Sequence, residues 1–285
     1  MGGILDGTDS PSLFRACVVL TSTHFYKMKA LMIDVGGTNI KLMAAGHEGF
    51  RKVPSGERLS ATQMVKCVLG MTKDWEYDAV SIGFPGPITN GTPAGNPANL
   101  GGGWVGFDFA KAFQRPVRII NDAAMHALSH YDSGRLLFLS LGTSVGTALI
   151  ADDVIIPMEA GNLRFTKSVG FADRLKRDSL SEIGHKAWEK SVWKAVGLLR
   201  QCFFPDQVVI GGGNAKMLET IPSWAAIRDN QDSFRGALRL WPDADLFAEP
   251  QVTTWRIQRK TAAETGENGK GEKPTGKRKK GTSNA

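Results

Sequence analysis

Two short glycine-containing turns carry the residue types that bind phosphate. Gly36-Gly37-Thr38 and Gly142-Thr143-Ser144 each follow a run of apolar residues. Glycine lets backbone N–H groups converge on an anion, and a Thr or Ser hydroxyl adds a further donor. Neither turn ends in the Gly-Lys-Ser/Thr of a Walker A motif. Either turn alone is more typical of an ordinary hairpin, but two that face each other could grip one polyphosphate.

Three carboxylates lie next to these turns or to predicted strands. Asp34 ends an apolar strand, where a lone carboxylate is unfavourable unless paired. It either caps the turn or holds Mg²⁺ through water beside the phosphates. Asp122 follows the predicted strand Val117–Ile120 and begins a helix, at a position where α/β sheets bind ligands. It either stabilises the first helical turn or takes a proton from a substrate hydroxyl. Glu159 either bridges a polyol or is a solvated turn residue.

Other candidate groups give weaker signals. Gly211-Gly212-Gly213 follows a strand, as a nucleotide-binding turn would, but lacks the full GxGxxG pattern and is equally typical of a tight strand-to-helix turn. His126 and His130 share one face of a helix, and without a third ligand we interpret them as helix surface. His185 is given no role.

An internal repeat suggests how these groups are brought together. Residues 31–45, LMIDVGGTNIKLMAA, align without a gap with residues 137–151, LFLSLGTSVGTALIA. Each copy reads as a strand, a glycine turn and a returning strand. We therefore expect two similar α/β halves facing each other, although two unrelated apolar hairpins could also align in this way.

The chain around the repeat divides into four segments. We expect a poorly structured extension over 1–27, an α/β domain over 28–121, a second over 122–250 and a disordered basic tail over 251–285. Between residues 83 and 106, eight glycines and four prolines indicate a long irregular loop, and a loop of this length is usually either functional or disordered. A helix is expected from Ser181 to Phe203, where apolar residues recur at helical spacing.

Composition excludes several classes of protein. The chain has 285 residues and a formal charge of +7, but residues 256–285 hold nine Lys or Arg and only three Glu. Most of the net positive charge therefore lies in the tail and not on the folded part of the chain. A nucleic-acid partner is not expected. Three widely spaced cysteines fit neither a disulfide framework nor a structural zinc site. Since no apolar run is long enough for a membrane span, we expect a cytoplasmic protein. The oligomeric state stays open, with a homodimer as one option.

Six short motifs follow one another between Met28 and Trp241. They read IDVGGTNIKLMAA, IGFPGPI, ANLGGGW, RIINDAAMHAL, LGTSVGTALI and VVIGGGNAKM. In this order they resemble the motifs of the ROK family of sugar kinases, most closely its polyphosphate/ATP glucokinase branch. The resemblance implies the actin-like ATPase/sugar kinase fold, which is ribonuclease H-like, with two α/β domains and a cleft between duplicated halves.

The resemblance also implies a role for each matching residue. Asp122 would be the general base of a Mg²⁺-assisted, in-line phosphoryl transfer from ATP or polyphosphate to a hexose, most simply to the 6-hydroxyl of glucose. The sugar would be held by Asn99, Asn121, Asp122, Glu159 and Asn162. The phosphates and nucleotide would be held by Asp34 (also the Mg²⁺ residue), Gly36, Gly37, Thr38, Lys41, Gly142, Thr143, Ser144, Gly146, Gly211, Gly212 and Gly213.

Two departures from the family pattern qualify this expectation. Glu-x-Gly-His becomes Glu159-Ala160-Gly161-Asn162, and the cysteine-rich zinc loop is replaced by a basic stretch from Arg164 to Arg177. Asn can hydrogen-bond a hydroxyl but cannot titrate. The alternative is therefore a catalytically impaired relative that binds sugar or nucleotide. The basic stretch could steer a long polyanion or be a solvated face, and Ser144-Val145, where the family has Gly-Ile, bears on the choice of donor.

Overall fold

The protein is built on two β-sheets with a helix between them. The computed structural model describes residues 28–47, 49–229, 233–244 and 246–260. The extension expected over 1–27 lies outside the described residues, as do residues 261–285 of the expected tail. Within the described ranges, no helix is both long and apolar enough to cross a bilayer.

The first sheet has five strands around a fully buried centre. They are β1 (Ala30–Val35), β2 (Asn39–Ala44), β3 (Arg51–Pro54), β4 (Ala79–Phe84) and β7 (Val117–Asn121), in the order β3-β2-β1-β4-β7. β1 is antiparallel to β2 and parallel to β4, which is parallel to β7. All six residues of β1 are buried, as expected for the central strand of a sheet covered on both faces. Helices α1 (Ala61–Met71) and α2 (Phe109–Phe113) belong to this half.

The second sheet repeats this arrangement and extends it. Its strands run in the order β12-β11-β8-β9-β10-β14-β13. They are β8 (Arg135–Leu141), β9 (Val145–Ala151), β10 (Val154–Met158), β11 (Gln207–Gly211), β12 (Ala225–Ile227), β13 (Leu246–Pro250) and β14 (Trp255–Arg259). β8 pairs antiparallel with β9 and parallel with β11, as β1 does with β2 and β4. The aligned residues of the internal repeat therefore form corresponding hairpins, as predicted.

The remaining helices lie in the second half or between the sheets. They are α3 (Asp122–His130), α4 (Phe171–Leu175), α5 (Arg177–Ile183), α6 (His185–Phe203) and α7 (Ser233–Leu238), with 3₁₀ turns at Ala160–Asn162 and Ala215–Met217. The single helix expected over Ser181–Phe203 is divided in two. Gly184 has a φ of +78°, which breaks the helix between α5 and α6.

Helix α3 occupies the core between the sheets and positions the cleft. The Asn121 side chain caps its first turn by accepting a hydrogen bond from the Ala124 N–H at 3.1 Å. Small residues let the helix approach its neighbours closely. A Cβ on Gly83 of β4 would lie 2.4 Å from Met125 Cε, and a Cβ on Gly236 of α7 would lie 2.0 Å from the Met125 carbonyl oxygen. These contacts hold α3 close to β4 and α7.

The glycine-rich loop after β4 is more ordered than its composition suggested. It contains a small hairpin of β5 (Ile88–Thr89) and β6 (Thr92–Pro93). Trp104 is fully buried, 5.4 Å from the Phe84 ring, and donates its indole N–H to the Gly101 carbonyl at 2.8 Å. The indole thus anchors the loop to the first core.

The disorder expected from residue 251 onward is wrong for residues 251–260. Strand β14 (Trp255–Arg259) pairs with both β10 and β13. The physical reason is the alternation of Trp255 and Ile257, which are 3% and 4% exposed and join the core beneath α3. The basic composition that we associated with a tail begins within an ordered strand.

We expect Gly236→Ala to destabilise the protein by about 1–3 kcal/mol, the usual range for overpacking. The added methyl group would meet backbone of α3, which cannot rotate away as a side chain can. Denaturant unfolding measures the change. The matched control is Gly197→Ala in the middle of α6, where a Cβ meets nothing within 4 Å. That substitution should stabilise the helix by about 0.5–1 kcal/mol. Equal effects at the two positions would contradict the packing of α7 on α3.

Candidate functional site

A cleft of about 670 Å³ lies where the two repeated hairpins face each other. It gathers residues from both sheets, from the start of α3 and from the glycine-rich loop. Of the residues predicted for the site, all but Gly211 line this cleft: Asp34, Gly36, Gly37, Thr38, Lys41, Asn99, Asn121, Asp122, Gly142, Thr143, Ser144, Gly146, Glu159, Asn162, Gly212 and Gly213. Residues distant in sequence are thus brought to one place.

The two glycine turns of the repeat touch each other across the cleft. The Oγ1 atoms of Thr38 and Thr143 are 3.1 Å apart, within hydrogen-bonding distance. The first turn needs glycine, because a Cβ on Gly36 would lie 2.7 Å from the Asn39 carbonyl oxygen. Asn99 packs beside Gly37, where a Cβ would lie 3.6 Å from the Asn99 Cβ. The hydroxyls and backbone of both turns can therefore reach one bound polyanion.

The third glycine turn lies behind the second. Gly212 has a φ of +89°, and a Cβ there would lie 2.3 Å from the Leu141 carbonyl oxygen, so only glycine fits. The Asn214 N–H donates to that carbonyl at 2.9 Å. This packing holds Gly212 and Gly213 in the cleft wall. Gly211 is the last residue of β11 and does not line the cleft; it is buried, and a Cβ there would lie 3.0 Å from Phe138 Cζ.

Asp34 is a buried carboxylate with two basic side chains beside it. It is 7% exposed, and its Oδ2 lies 3.4 Å from Lys41 Nζ and 3.5 Å from His126 Nε2. Burial by itself would raise the pKa of Asp34, but His126 and Lys41 outweigh it and lower the pKa to about 2. The pairing that a carboxylate at the end of an apolar strand requires is therefore present.

Asp122 is the first residue of α3 and has the opposite electrostatic character. Its Oδ1 accepts a hydrogen bond from the Ala123 N–H at 2.8 Å. Burial, together with the negative charge of Asp34, raises the pKa of Asp122 to about 7, against smaller lowering effects of His126 and the Ala123 N–H. Two neighbouring carboxylates with widely separated pKa values are typical of sites where one group stays ionised and the other exchanges a proton.

The polar residues expected to hold a sugar lie around Asp122. Glu159 follows β10, and burial raises its pKa. Its segment is held by Thr147, whose hydroxyl donates to the Met158 carbonyl at 2.8 Å and accepts from the Ala160 N–H at 3.0 Å. Asn162 ends the following 3₁₀ turn. Asn121 is engaged by the protein itself, since its amide caps α3 and its Nδ2 donates to the Gly86 carbonyl at 3.4 Å.

His126 belongs to the site, although its pattern was interpreted as helix surface. It is 7% exposed, lines the cleft and contacts Asp34, with its ring 5.9 Å from that of Phe138. The useful signal was its spacing of four residues from Asp122 and not its spacing from His130. Residues four apart share a helix face, so a cleft at Asp122 also reaches His126. Arg177 is a second cleft residue without an assigned role, and its N–H donates to the Gly142 carbonyl at 2.9 Å.

The donor set in the cleft fits Mg²⁺. This ion prefers oxygen ligands, keeps several waters and is usually bound by one or two carboxylates together with substrate phosphates. Asp34 supplies an ionised carboxylate on the strand that leads into the first glycine turn. A water-mediated Mg²⁺ at Asp34 is therefore consistent with these residues.

We expect His126→Gln to move the acidic limb of the pH-activity profile to higher pH. The imidazole lowers the pKa of Asp122. Its removal therefore raises that pKa, and the carboxylate forms only at higher pH. The measurement is kcat/KM against pH. His130→Gln, one turn further along α3, is the control and should leave the limb in place. If the acidic limb of the pH-activity profile did not move in His126→Gln, His126 would have no influence on the pKa of Asp122.

A family model described as ROK family matches residues 30–162. A protein named polyphosphate glucokinase from Mycobacterium leprae (strain TN) is 24% identical over 234 residues, covering 74% of this chain and 69% of that protein. The inorganic polyphosphate/ATP-glucomannokinase from Arthrobacter sp. strain KM has a TM-score of 0.61 at 22% identity, covering 74% of this chain and 97% of that chain. A ROK family glucokinase from Streptomyces griseus, solved with glucose and AMPPNP, has a TM-score of 0.60 at 15% identity. The match covers 76% of this chain and 100% of that chain.

These similarities bear on two predictions made from the motifs. The family match and the named relatives confirm the resemblance to the ROK family. The solved structures confirm the predicted two-domain fold of the sugar kinases. The roles of individual cleft residues and the domain boundaries stay predictions.

Proposed function

Because residues 30–162 match the ROK family model, we propose that this protein is a sugar kinase of that family. It transfers a phosphoryl group from polyphosphate or ATP to a hexose hydroxyl, and the first substrate to test is glucose, at its 6-hydroxyl. The single observation that carries the proposal is Asp122: a carboxylate in the cleft whose pKa is raised to about 7, beside an Asp34 that stays ionised.

The chemistry asks little of the protein beyond positioning and charge. Asp122 accepts the proton of the sugar hydroxyl as its oxygen bonds to phosphorus, and the bond from phosphorus to the donor oxygen breaks. Oδ1 of Asp122 accepts the Ala123 N–H, which leaves Oδ2 with both lone pairs to receive the proton. The Thr38 and Thr143 turns bind the transferred group and the rest of the donor. Mg²⁺, when bound near Asp34, neutralises charge on the phosphates.

The choice of donor depends on the basic surface beside the second turn. Arg177 lies in the cleft wall and follows the basic stretch that begins at Arg164. Positive charge along such a path favours a long polyanion over a nucleotide of fixed length. The relative from Mycobacterium leprae is named for polyphosphate, and the Arthrobacter protein is named for both polyphosphate and ATP. We therefore place polyphosphate first and ATP second.

A second candidate function rests on Asn162. This residue stands in the cleft where the family pattern has histidine. If the substitution has removed turnover, the protein binds sugar or nucleotide without transferring phosphate. The family and fold would be the same in both cases.

The test is an assay of the purified full chain with Mg²⁺, a panel of hexoses and either ATP or polyphosphate, with sugar phosphate as the readout. Omission of Mg²⁺ and of each donor provides the controls. Product with glucose supports the kinase and identifies its donor. Inactivity with every pair, together with calorimetric binding of a hexose or ATP, would reject the kinase in favour of the binding protein.

A further inference from the structure

Three side chains of the kinds that bind metals meet on the second half of the molecule, outside the cleft. His185 is the first residue of α6, Glu189 lies one turn later, and Glu219 follows the 3₁₀ turn Ala215–Met217. One ligand atom from each lies within 4.8 Å of the others. The motifs of the sugar kinases do not include any of the three.

The imidazole of His185 is held in one tautomer. Its Nε2 contacts the Met217 carbonyl oxygen. Since a carbonyl can only accept a hydrogen bond, Nε2 carries the proton, and Nδ1 of the neutral ring has a lone pair. Nδ1 lies 3.8 Å from Oε1 of Glu219, too far for a hydrogen bond. A backbone carbonyl behind one ring nitrogen is the usual support of a histidine that binds metal through the other.

Glu189 is also oriented before any ligand arrives. Its Oε1 accepts the N–H groups of Glu219 at 2.9 Å and Thr220 at 2.7 Å, and the Trp193 indole N–H lies 3.5 Å from the same oxygen. All three of these hydrogen bonds end on Oε1, so Oε2 can face a cation. The carboxylate and the segment that bears Glu219 therefore hold each other in place.

We propose that His185, Glu189 and Glu219 form a binding site for one divalent transition-metal ion of the zinc class. Zn²⁺ binds nitrogen and carboxylate oxygen at about 2.0–2.2 Å, so two of its ligands in a tetrahedron lie roughly 3.3 Å apart. The 3.8 Å between His185 and Glu219 differs from this by an amount that small side-chain rotations cover. Two carboxylates neutralise the charge of the ion, and a water completes the coordination.

The site would join two elements that differ in their distance from the cleft. Glu219 lies six residues after Gly213, which lines the cleft, whereas His185 and Glu189 both belong to α6. A bound ion would clamp the segment after the third glycine turn to α6. The proposal goes beyond the kinase activity and does not depend on it.

The test uses untagged full-length protein, with millimolar Mg²⁺ present to occupy sites made only of oxygen ligands. Co²⁺ is added and followed by its visible absorption, and Zn²⁺ is then titrated by calorimetry. We expect one ion per chain and a melting temperature that rises by several degrees when Zn²⁺ is saturating. His185→Gln and Glu219→Gln should each weaken binding at least ~10-fold. Glu219 is 76% exposed, so its variant tests the site without disturbing the core.

Glu182→Gln on α5 is the matched control, since it removes an exposed carboxylate near the start of α6 without removing a ligand. Its affinity for Zn²⁺ should equal that of the unmodified protein. The proposal is overturned if Zn²⁺ does not bind at sub-millimolar concentration. It is also overturned if His185→Gln and Glu219→Gln bind as tightly as the control. Either result would show that the three neighbouring side chains do not form a metal site. Because binding is measured without sugar or donor, a failed kinase assay has no effect on this outcome.

Discussion

Asp122→Asn loses at least ~10²-fold in kcat while the protein stays folded, the expected result of removing a general base. Asparagine keeps the size of the side chain and an oxygen that can accept the Ala123 N–H, so the start of α3 is preserved. What it cannot do is accept the proton of a hydroxyl. The measurement is steady-state formation of sugar phosphate with the donor that the unmodified protein uses. In that protein, kcat/KM should rise with pH to a plateau, with a midpoint near the Asp122 pKa of about 7.

The same substitution has a second, independent signature in stability. The pKa of Asp122 is raised from 3.8 to about 7 in the folded protein, so ionisation of this group opposes folding. That penalty is absent at low pH, grows as pH rises from about 4 to 7, and is constant above. The amide that replaces the carboxyl group never ionises. We therefore expect the variant to melt several degrees higher than the unmodified protein at pH 8, and the difference to vanish toward pH 4.

The control for Asp122→Asn is Asp178→Asn. Both residues are acidic groups in the first turn of a helix, but Asp178 is exposed on α5 and does not line the cleft. Its loss should lower stability slightly through the helix dipole and leave kcat unchanged. Full activity in Asp122→Asn would show that another group takes the proton. A fall in its melting temperature at pH 8 would contradict the electrostatic account of the cleft.

Short-range patterns in the sequence were enough to predict the framework of the site. The repeat of residues 31–45 in residues 137–151 predicted two matching hairpins, because a strand, a glycine turn and a returning strand fix their own local geometry. Asp122 was predicted at a strand end for the same reason. The six motifs occur in the same order as in a known fold, and that fold places the two hairpins at one cleft.

Properties that depend on non-local packing were missed. The spacing of His126 and His130 suggested a helix surface, but α3 lies between two sheets and both its faces are covered. The tail after Pro250 looked disordered, since five residues of β14 carry too little pattern to reveal a strand whose partners, β10 and β13, are defined by the fold. The pKa of Asp122 likewise depends on Asp34, which is 88 positions away in the chain.

Asp34→Asn should reduce kcat by at least ~10²-fold, since a metal ion that stabilises charge on the phosphates contributes several kcal/mol to the transition state. The substitution removes the negative charge that Lys41 and His126 share and the carboxylate that fits Mg²⁺. It has a distinct effect on pH dependence as well. The charge of Asp34 raises the pKa of Asp122, so its removal should move the acidic limb of the remaining activity to lower pH. This direction is opposite to that expected for His126→Gln.

Asp74→Asn is the control for this experiment, because Asp74 is also a carboxylate paired with a cation. Its partner is Arg51, at 2.6 Å, but the Asp74 side chain is 66% exposed on the surface. An exposed pair of this kind contributes little, so activity and its pH dependence should be unchanged. If Asp34→Asn kept full activity at saturating Mg²⁺, Asp34 would have no part in metal binding. If the acidic limb stayed in place while activity fell, the two carboxylates would not be coupled. An acidic limb at lower pH in Asp34→Asn and at higher pH in His126→Gln would together establish that Asp34 raises the pKa of Asp122 and His126 lowers it.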